Sequence, residues 1–254
     1  MTTRSLPRKR ILNVEVDDLT MEQFLHAFTS GVLVTPNTDH LLLLQESERF
    51  LKAYRAADFV TVDSQILKWS MRLIGSPVQA KLSGSDILPA FCAHHRENPS
   101  MRMFLLGGRE GVAVTARERI NARVGREVVI ATCSPSMRFG DDEDENTRVV
   151  DLINASGATA LAVGLGAPKQ ELWIHANRGR MPNVRWFLAI GAALDFEAGT
   201  IRRAPRWVSS IGLEWLHRMS QDPKRLWRRY LLRGPRFFVL LFRQRIGVYR
   251  APFD

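Results

Sequence analysis

Two short polar segments, Thr35-Pro36-Asn37-Thr38-Asp39-His40 and the region of Asp63, carry the residues best suited to moving a proton in this chain. The first follows the apolar run Val32-Leu33-Val34, and Asp63 ends the run Phe59-Val60-Thr61-Val62. A carboxylate at the end of a buried strand can take a proton from an attacking hydroxyl, more readily where partial burial raises its pKa. Asp63 is therefore the candidate general base. Thr35 and Asn37 are placed to orient reactants, and Asp39 reads as a helix cap or loop anchor. The structural alternative for Asp63 is capping of the helix that follows it.

Three glycine-containing segments suit anions. In Ser83-Gly84-Ser85-Asp86 either Ser85 or Asp86 can cap a helix starting at Ile87, and Gly84 can take a conformation closed to other residues. Such a turn also leaves backbone N–H groups pointing outward, so Ser83, Gly84 and Asp86 are candidate substrate contacts. Gly107-Gly108-Arg109-Glu110-Gly111 joins a strand to a helix, and its backbone can approach a phosphate. It is neither the dinucleotide fingerprint nor a Walker loop. In Gly164-Leu165-Gly166-Ala167-Pro168-Lys169-Gln170-Glu171 the two glycines bring the backbone close to a ligand, Lys169 supplies positive charge and Gln170 can read a ring hydroxyl or base. Glu171 has the simpler reading of favourable charge in a helix's first turn. Asp195, in Gly191-Ala192-Ala193-Leu194-Asp195-Phe196, is either a second acid in the cleft or an anchor for Arg203 or Arg206. The histidines have no ligand spacing, and no metal site is expected.

These residues require a strand–turn–helix–strand unit over 32–63, with the periodic segment 41–57 as its helix. Thr20-Met21-Glu22-Gln23 has capping-box spacing for an earlier helix. Residues 64–74 form another, with Ile66, Leu67 and Met71 inward. Short apolar strands at 103–106, 128–130, 161–163 and 186–190 alternate with helices, one of them over 169–177 with Pro168 at its first position. The expected fold is α/β, a Rossmann-like, largely parallel sheet flanked by helices. In such sheets ligands bind outside the carboxyl ends of the strands, so Thr35 and Asp63 should share one rim.

The chain has 254 residues, 45% apolar content and a formal charge of +10. Between Arg202 and Arg250 stand 13 basic residues against Glu214 and Asp222, a net +11, which leaves the rest near −1. The sequence divides into an α/β domain, 1–199, and a basic helical C-terminal appendage, 200–254. Trp207, Ile211 and Trp215 mark one apolar face of the appendage. Leu226, Trp227, Tyr230 and Leu231 mark a second, and Phe237, Phe238, Leu240, Leu241 and Phe242 a third. Pro223 and Pro235 mark helix starts, so three short amphipathic helices are expected. Arginine-bearing faces of this kind suit an anionic membrane surface. The rival use, a nucleic-acid backbone, lacks a recognition helix or a stacking series of aromatics. Cys92 and Cys133 make no disulfide framework. With no signal-peptide pattern and no run of the roughly 20 apolar residues that span a bilayer, a cytoplasmic protein held peripherally at the inner membrane face is expected.

The segments 35–40, Ala57-Asp58 with Asp63, 83–86 and 164–171 occur in this order. They are followed by 191–196 with Gly199, Arg203-Ala204-Pro205 and Gly212-Leu213-Glu214-Trp215. Together they resemble the WecG/TagA/CpsF family of bacterial glycosyltransferases from Ile11 to about Tyr230. The resemblance implies inverting transfer from a UDP-sugar donor to a polyprenyl diphosphate-linked acceptor in cell-surface or exopolysaccharide synthesis, with no cofactor and no bound metal. It implies that Asp63 is the base, that Thr35 lies beside it, and that Arg203, Arg206, Arg225 and Arg229 close over the donor diphosphate. It leaves room for a homo-oligomer. Two departures stand out: Ser64 replaces the glycine common after the acid, and Cys133-Ser134-Pro135-Ser136 replaces a Pro-Gly loop. The donor sugar is left open among N-acetylmannosamine, its uronic acid and glucose.

Overall fold

The computed structural model describes residues 6–136, 138–140 and 142–253, with the side chains of Arg206, Ser210, Arg225 and Arg229 outside what it describes. A hairpin of β1 (Arg8–Ile11) and β2 (Val14–Asp17) leads into α1 (Met21–Ala27), where Thr20 and Gln23 complete the expected capping box. There follow β3 (Gly31–Val34), α2 (Thr38–Glu46), α3 (Glu48–Arg55), β4 (Phe59–Val60), α4 (Gln65–Leu73) and α5 (Gly84–His94). The regular alternation is β5 (Met103–Gly107), α6 (Val112–Val124), β6 (Val129–Cys133), α7 (Glu143–Ser156), β7 (Ala160–Gly164), α8 (Lys169–Asn177), β8 (Trp186–Ala189) and α9 (Ala193–Ala198). The basic tail forms α10 (Arg206–Ser210), α11 (Glu214–Gln221), α12 (Pro223–Trp227) and α13 (Gly234–Arg245).

β4, β3, β8, β7, β5 and β6, in that order, make one six-stranded sheet in which every pairing is parallel. Alternate side chains feed two cores. Val32, Val34, Phe104, Leu106, Leu161 and Val163 pack on one face. Leu33, Met103, Leu105, Ala160, Ala162 and Leu188 pack on the other. A period-2 strand buried on both sides reads as a continuous apolar run, as these sequences do. The expected Rossmann-like sheet flanked by helices is therefore present.

Several local expectations are corrected. The helix expected over 41–57 breaks at Ser47, whose extended backbone ends α2 and whose Oγ accepts from the Phe50 N–H at 3.2 Å to start α3. Its apolar period survives the break, because Leu44, Phe50, Leu51 and Tyr54 all enter the first core. Helix α5 begins at Gly84 with Ser83 as its N-cap, so neither Ser85 nor Asp86 caps it. Gly84 is needed for proximity and not for an unusual φ, since a Cβ there would lie 2.8 Å from the Ile190 carbonyl oxygen. Pro168 is the N-cap of α8, after a cis Ala167–Pro168 peptide, and not its first residue. Pro223 and Pro235 stand in the first two positions of α12 and α13, as expected, although a π-helical segment, Arg228–Arg233, joins the two helices without a break.

The tail is joined to the sheet framework by packing. Phe237 and Leu241 of α13 are buried in the first core, while Phe238 and Phe242 on the same helix are exposed. Among the described residues no helix is long and apolar enough to cross a membrane.

Candidate active site

Parallel pairing brings the two polar segments together. Leu33 stands opposite Phe59 and Val34 opposite Val60. The ladder continues beyond the strands, with the Thr61 N–H donating to Val34 O at 3.1 Å and the Asp63 N–H to Pro36 O at 3.0 Å. Thr35 is buried and its hydroxyl donates to Ala189 O at the tip of β8, 3.3 Å away. Beyond these tips opens a cavity of about 610 Å³ lined by Thr35, Asn37, Asp63, Ser83, Gly166 and Gln170. The tail supplies Trp215, Arg218, Tyr230, Phe237 and Phe238 to the opposite wall.

Asp63 is not a helix cap. Ser64 caps α4 through Oγ, which accepts from the Leu67 N–H at 3.1 Å, so the serine in the family's glycine position has a structural use. Asp63 Oδ1 instead accepts from the Gly84 N–H at 3.3 Å. Burial pushes the Asp63 pKa up to about 7; the Arg218 charge opposes this, Glu214 adds to it, and Lys81 and the Gly84 N–H oppose it. A carboxylate so tuned is part ionised near neutrality, as a general base requires.

The neighbouring polar residues are committed in ways the sequence did not show. Asn37 caps α2, its Oδ1 accepting from the Asp39 and His40 N–H groups at 3.0 and 3.2 Å, so Asp39 is not the cap. Asp39 meets Arg233 of the tail at 3.4 Å, and Glu46 holds Arg233 and Arg236 at 2.7 and 2.6 Å. Asp86 accepts from the Ser83 hydroxyl at 2.6 Å and pairs with Arg203 at 2.8 Å. Burial pushes its pKa up, but the Ser83 hydroxyl, Lys81 and Arg203 outweigh burial and hold it low. Arg203 also donates to Ser85 O. Asp86 and Arg203 line an adjoining hollow of about 570 Å³, which shares Ser85, Phe196 and Glu214 with the main cavity.

Gln170 is buried with both ends of its amide engaged: Nε2 donates to Glu171 Oε1 at 2.8 Å and Oε1 accepts from the Gly191 N–H at 3.0 Å. Glu171 is not an exposed first-turn charge. It is 2% exposed, and burial pushes its pKa up to about 7, with the Gln170 amide and its own backbone N–H opposing.

Gly107, Gly108, Gly164 and Lys169 lie outside the lining of both hollows. Gly107 and Gly164 serve strand approach, since a Cβ on Gly107 would sit 2.5 Å from Gly164 O, and the Gly108 N–H donates to the same oxygen at 3.3 Å. Asp195 is not a second acid in the cleft, and among the described side chains it pairs with no arginine. It lines neither hollow, and its Oδ1 accepts from the Thr200 hydroxyl at 3.2 Å, closing the turn after α9. The aromatic residue beside it is the one that lines both hollows: Phe196 lies under Arg203 and Arg218 at 5.6 and 5.7 Å. The side chains of Arg206, Arg225 and Arg229 fall outside the described residues.

Sequence reasoning missed Arg218, Lys81 and His40. Arg218 had a signal: it stands three residues after Trp215 on α11, and that spacing puts both on one helix face toward the cavity.

A parallel α/β sheet with an ionisable carboxylate and a guanidinium lining one cavity beyond the strand tips suits an enzyme of the group-transfer type. The chain belongs to the glycosyl transferase WecG/TagA/CpsF family, whose pattern matches residues 9–251. It is similar to the N-acetylglucosaminyldiphosphoundecaprenol N-acetyl-beta-D-mannosaminyltransferase of Bacillus spizizenii, with 29% identity over 208 residues that cover 82% of this chain and 77% of that protein. The chain is thus a hexosyltransferase.

A carboxylate whose pKa is raised in the native state adds stability below its unfolded value of 3.8 that is lost as the pH rises through about 7. Asp63→Asn mimics the protonated form. Its unfolding midpoint relative to the native protein should therefore increase from pH 4 to pH 8 in denaturant titrations. A difference that stays constant over that range contradicts the raised value.

Proposed function

We propose that this enzyme transfers a hexose or N-acetylhexosamine, with inversion, from a UDP-sugar to a polyprenyl diphosphate-linked saccharide in cell-surface or exopolysaccharide synthesis. The observation that carries the reading is Asp63 at the strand tips, within the electrostatic reach of Arg218, in one cavity walled by framework and tail. The acceptor hydroxyl attacks the anomeric carbon and Asp63 takes its proton. The bond from that carbon to the diphosphate oxygen breaks, and UDP leaves with the electron pair. Arg218 and Lys81, the cations that act on Asp63, also suit the charge growing on the leaving group. Thr35 and Asn37 orient the reactants. The tilted pair Trp215 and Tyr230, with ring centroids 5.6 Å apart, gives the cavity an aromatic wall suited to a base or sugar ring.

The activity of the Bacillus relative favours an N-acetylmannosamine donor and an N-acetylglucosaminyl diphosphate-lipid acceptor. Such an acceptor lies in a bilayer, and α13 offers a surface for one: Val239, Phe242 and Ile246 are exposed beside Arg243 and Arg245.

A donor screen with synthetic polyprenyl diphosphate-linked N-acetylglucosamine tests this. UDP-N-acetylmannosamine should be turned over with release of UDP and an inverted linkage. Turnover of another UDP-hexose would correct the donor, and turnover of none would refute the reading. Phe242→Glu should weaken binding to vesicles containing phosphatidylglycerol by about tenfold, since a charge in place of a buried large apolar side chain costs at least the roughly 1.5–3 kcal/mol of its burial. Unchanged binding would place the membrane contact elsewhere.

A further inference from the structure

The cavity wall holds a second cluster of ionisable groups that proton transfer at Asp63 does not use. His40, in the first turn of α2, lines the cavity and is otherwise buried. Its Nδ1 lies 2.5 Å from the Tyr54 hydroxyl and 4.0 Å from Glu171 Oε1. Tyr54 reaches it from α3 and Glu171 from α8, so three separate helices converge on one imidazole. The ring is also held edge-on to Phe50, with centroids 6.0 Å apart.

Glu171 is the unusual member. Its Oε1 accepts from Gln170, but its Oε2 is buried with no hydrogen-bond partner among the described residues. Leaving a buried acceptor unsatisfied costs about 1–3 kcal/mol, and a glutamine or methionine would fill the same space without a charge. At 4.0 Å the carboxylate is beyond hydrogen-bond reach of the ring and acts on it through its charge, which favours an imidazole that keeps its proton. Tyr54 adds to this. Burial, and then the charges of Glu171 and Asp63, hold its phenol protonated, so that its O–H can donate to Nδ1 and leave the ring proton on Nε2.

We propose that His40 is a donor-binding residue that offers its Nε2–H to an oxygen of the sugar nucleotide, and that Glu171 and Tyr54 are positioning residues acting through it. The inference rests on the cavity being the nucleotide-sugar site. The oxygen belongs either to the diphosphate or to the sugar ring, two acceptors of the same chemistry.

The test compares His40→Gln, Glu171→Gln, Tyr54→Phe and the double variant His40→Gln/Glu171→Gln, each checked for native thermal unfolding. Steady-state kinetics are measured with donor and acceptor varied in turn, and UDP affinity by calorimetry. Loss of a hydrogen bond strengthened by charge, about 1.5–3 kcal/mol, should raise the donor KM of His40→Gln by about 10- to 100-fold and leave the acceptor KM within about twofold. Glu171→Gln and Tyr54→Phe should move the same constant less. The double variant should be no worse than His40→Gln alone, because positioning through an absent ring has no further effect. Weaker UDP binding assigns the oxygen to the diphosphate; unchanged UDP binding with a raised donor KM assigns it to the sugar. Unchanged donor kinetics in His40→Gln, a change confined to the acceptor, or additive losses in the double variant overturn the proposal. Should the native protein neither bind UDP nor turn over any UDP-sugar, the functional reading fails by itself. The coupling is then read from the ¹⁵N shifts of the His40 ring in ligand-free protein: Glu171→Gln should move them, and unmoved shifts overturn that part as well.

Discussion

A carboxylate held at the end of a buried parallel strand, open only toward a cavity, is the constraint around which this enzyme is arranged. Water solvates an ordinary aspartate from all sides, whereas Asp63 has the Gly84 N–H at 3.3 Å and cations at longer range. The balance between lost solvation and those charges leaves it near pH 7. Stronger pairing would have held the acid ionised but too weakly basic to take a proton. A fully apolar setting would have kept it protonated. The close approach of Gly84 to Ile190 is what lets α5 begin so near the acid.

The same cavity depends on the tail. Arg233 and Arg236 bind Asp39 and Glu46 at the surface, but ion pairs with partners this exposed contribute only about 0–1 kcal/mol each. Burying an aromatic or leucine side chain contributes about 1.5–3 kcal/mol, so Phe237 and Leu241 in the first core dominate the attachment. That packing holds the chain that carries Tyr230 and Phe238 to the cavity. Arg218 and Trp215 then complete a wall that the sheet framework alone does not have. Catalytic framework and basic tail are in this sense one site.

The sheet and the meeting of Thr35 with Asp63 were legible in the sequence, because buried strands repeat in a short apolar pattern and parallel pairing fixes which ends coincide. The uses of glycine were not. A phosphate cradle and a close approach of two strands both call for a residue without Cβ, and at Gly107 and Gly164 the second is what the structure has. Glu171 looked like a helix-end charge because that is a local property. Its burial comes from how α8 packs against α3, which no local pattern encodes. In the tail, a run of arginines does not say which one faces inward; only the helical spacing from Trp215 singles out Arg218. At Ser64 the departure from the family's glycine proved to be a helix cap.

The most direct measurement is kcat/KM against pH for the native enzyme and Asp63→Asn, using a saturating lipid acceptor and the donor found by screening. The native profile should fall on the acid side of about pH 7, where Asp63 gains a proton. The variant should lose about 10²–10⁴-fold and no longer show that acid limb. Native turnover in Asp63→Asn, or an acid limb that survives the substitution, would contradict the assignment of Asp63 as the base.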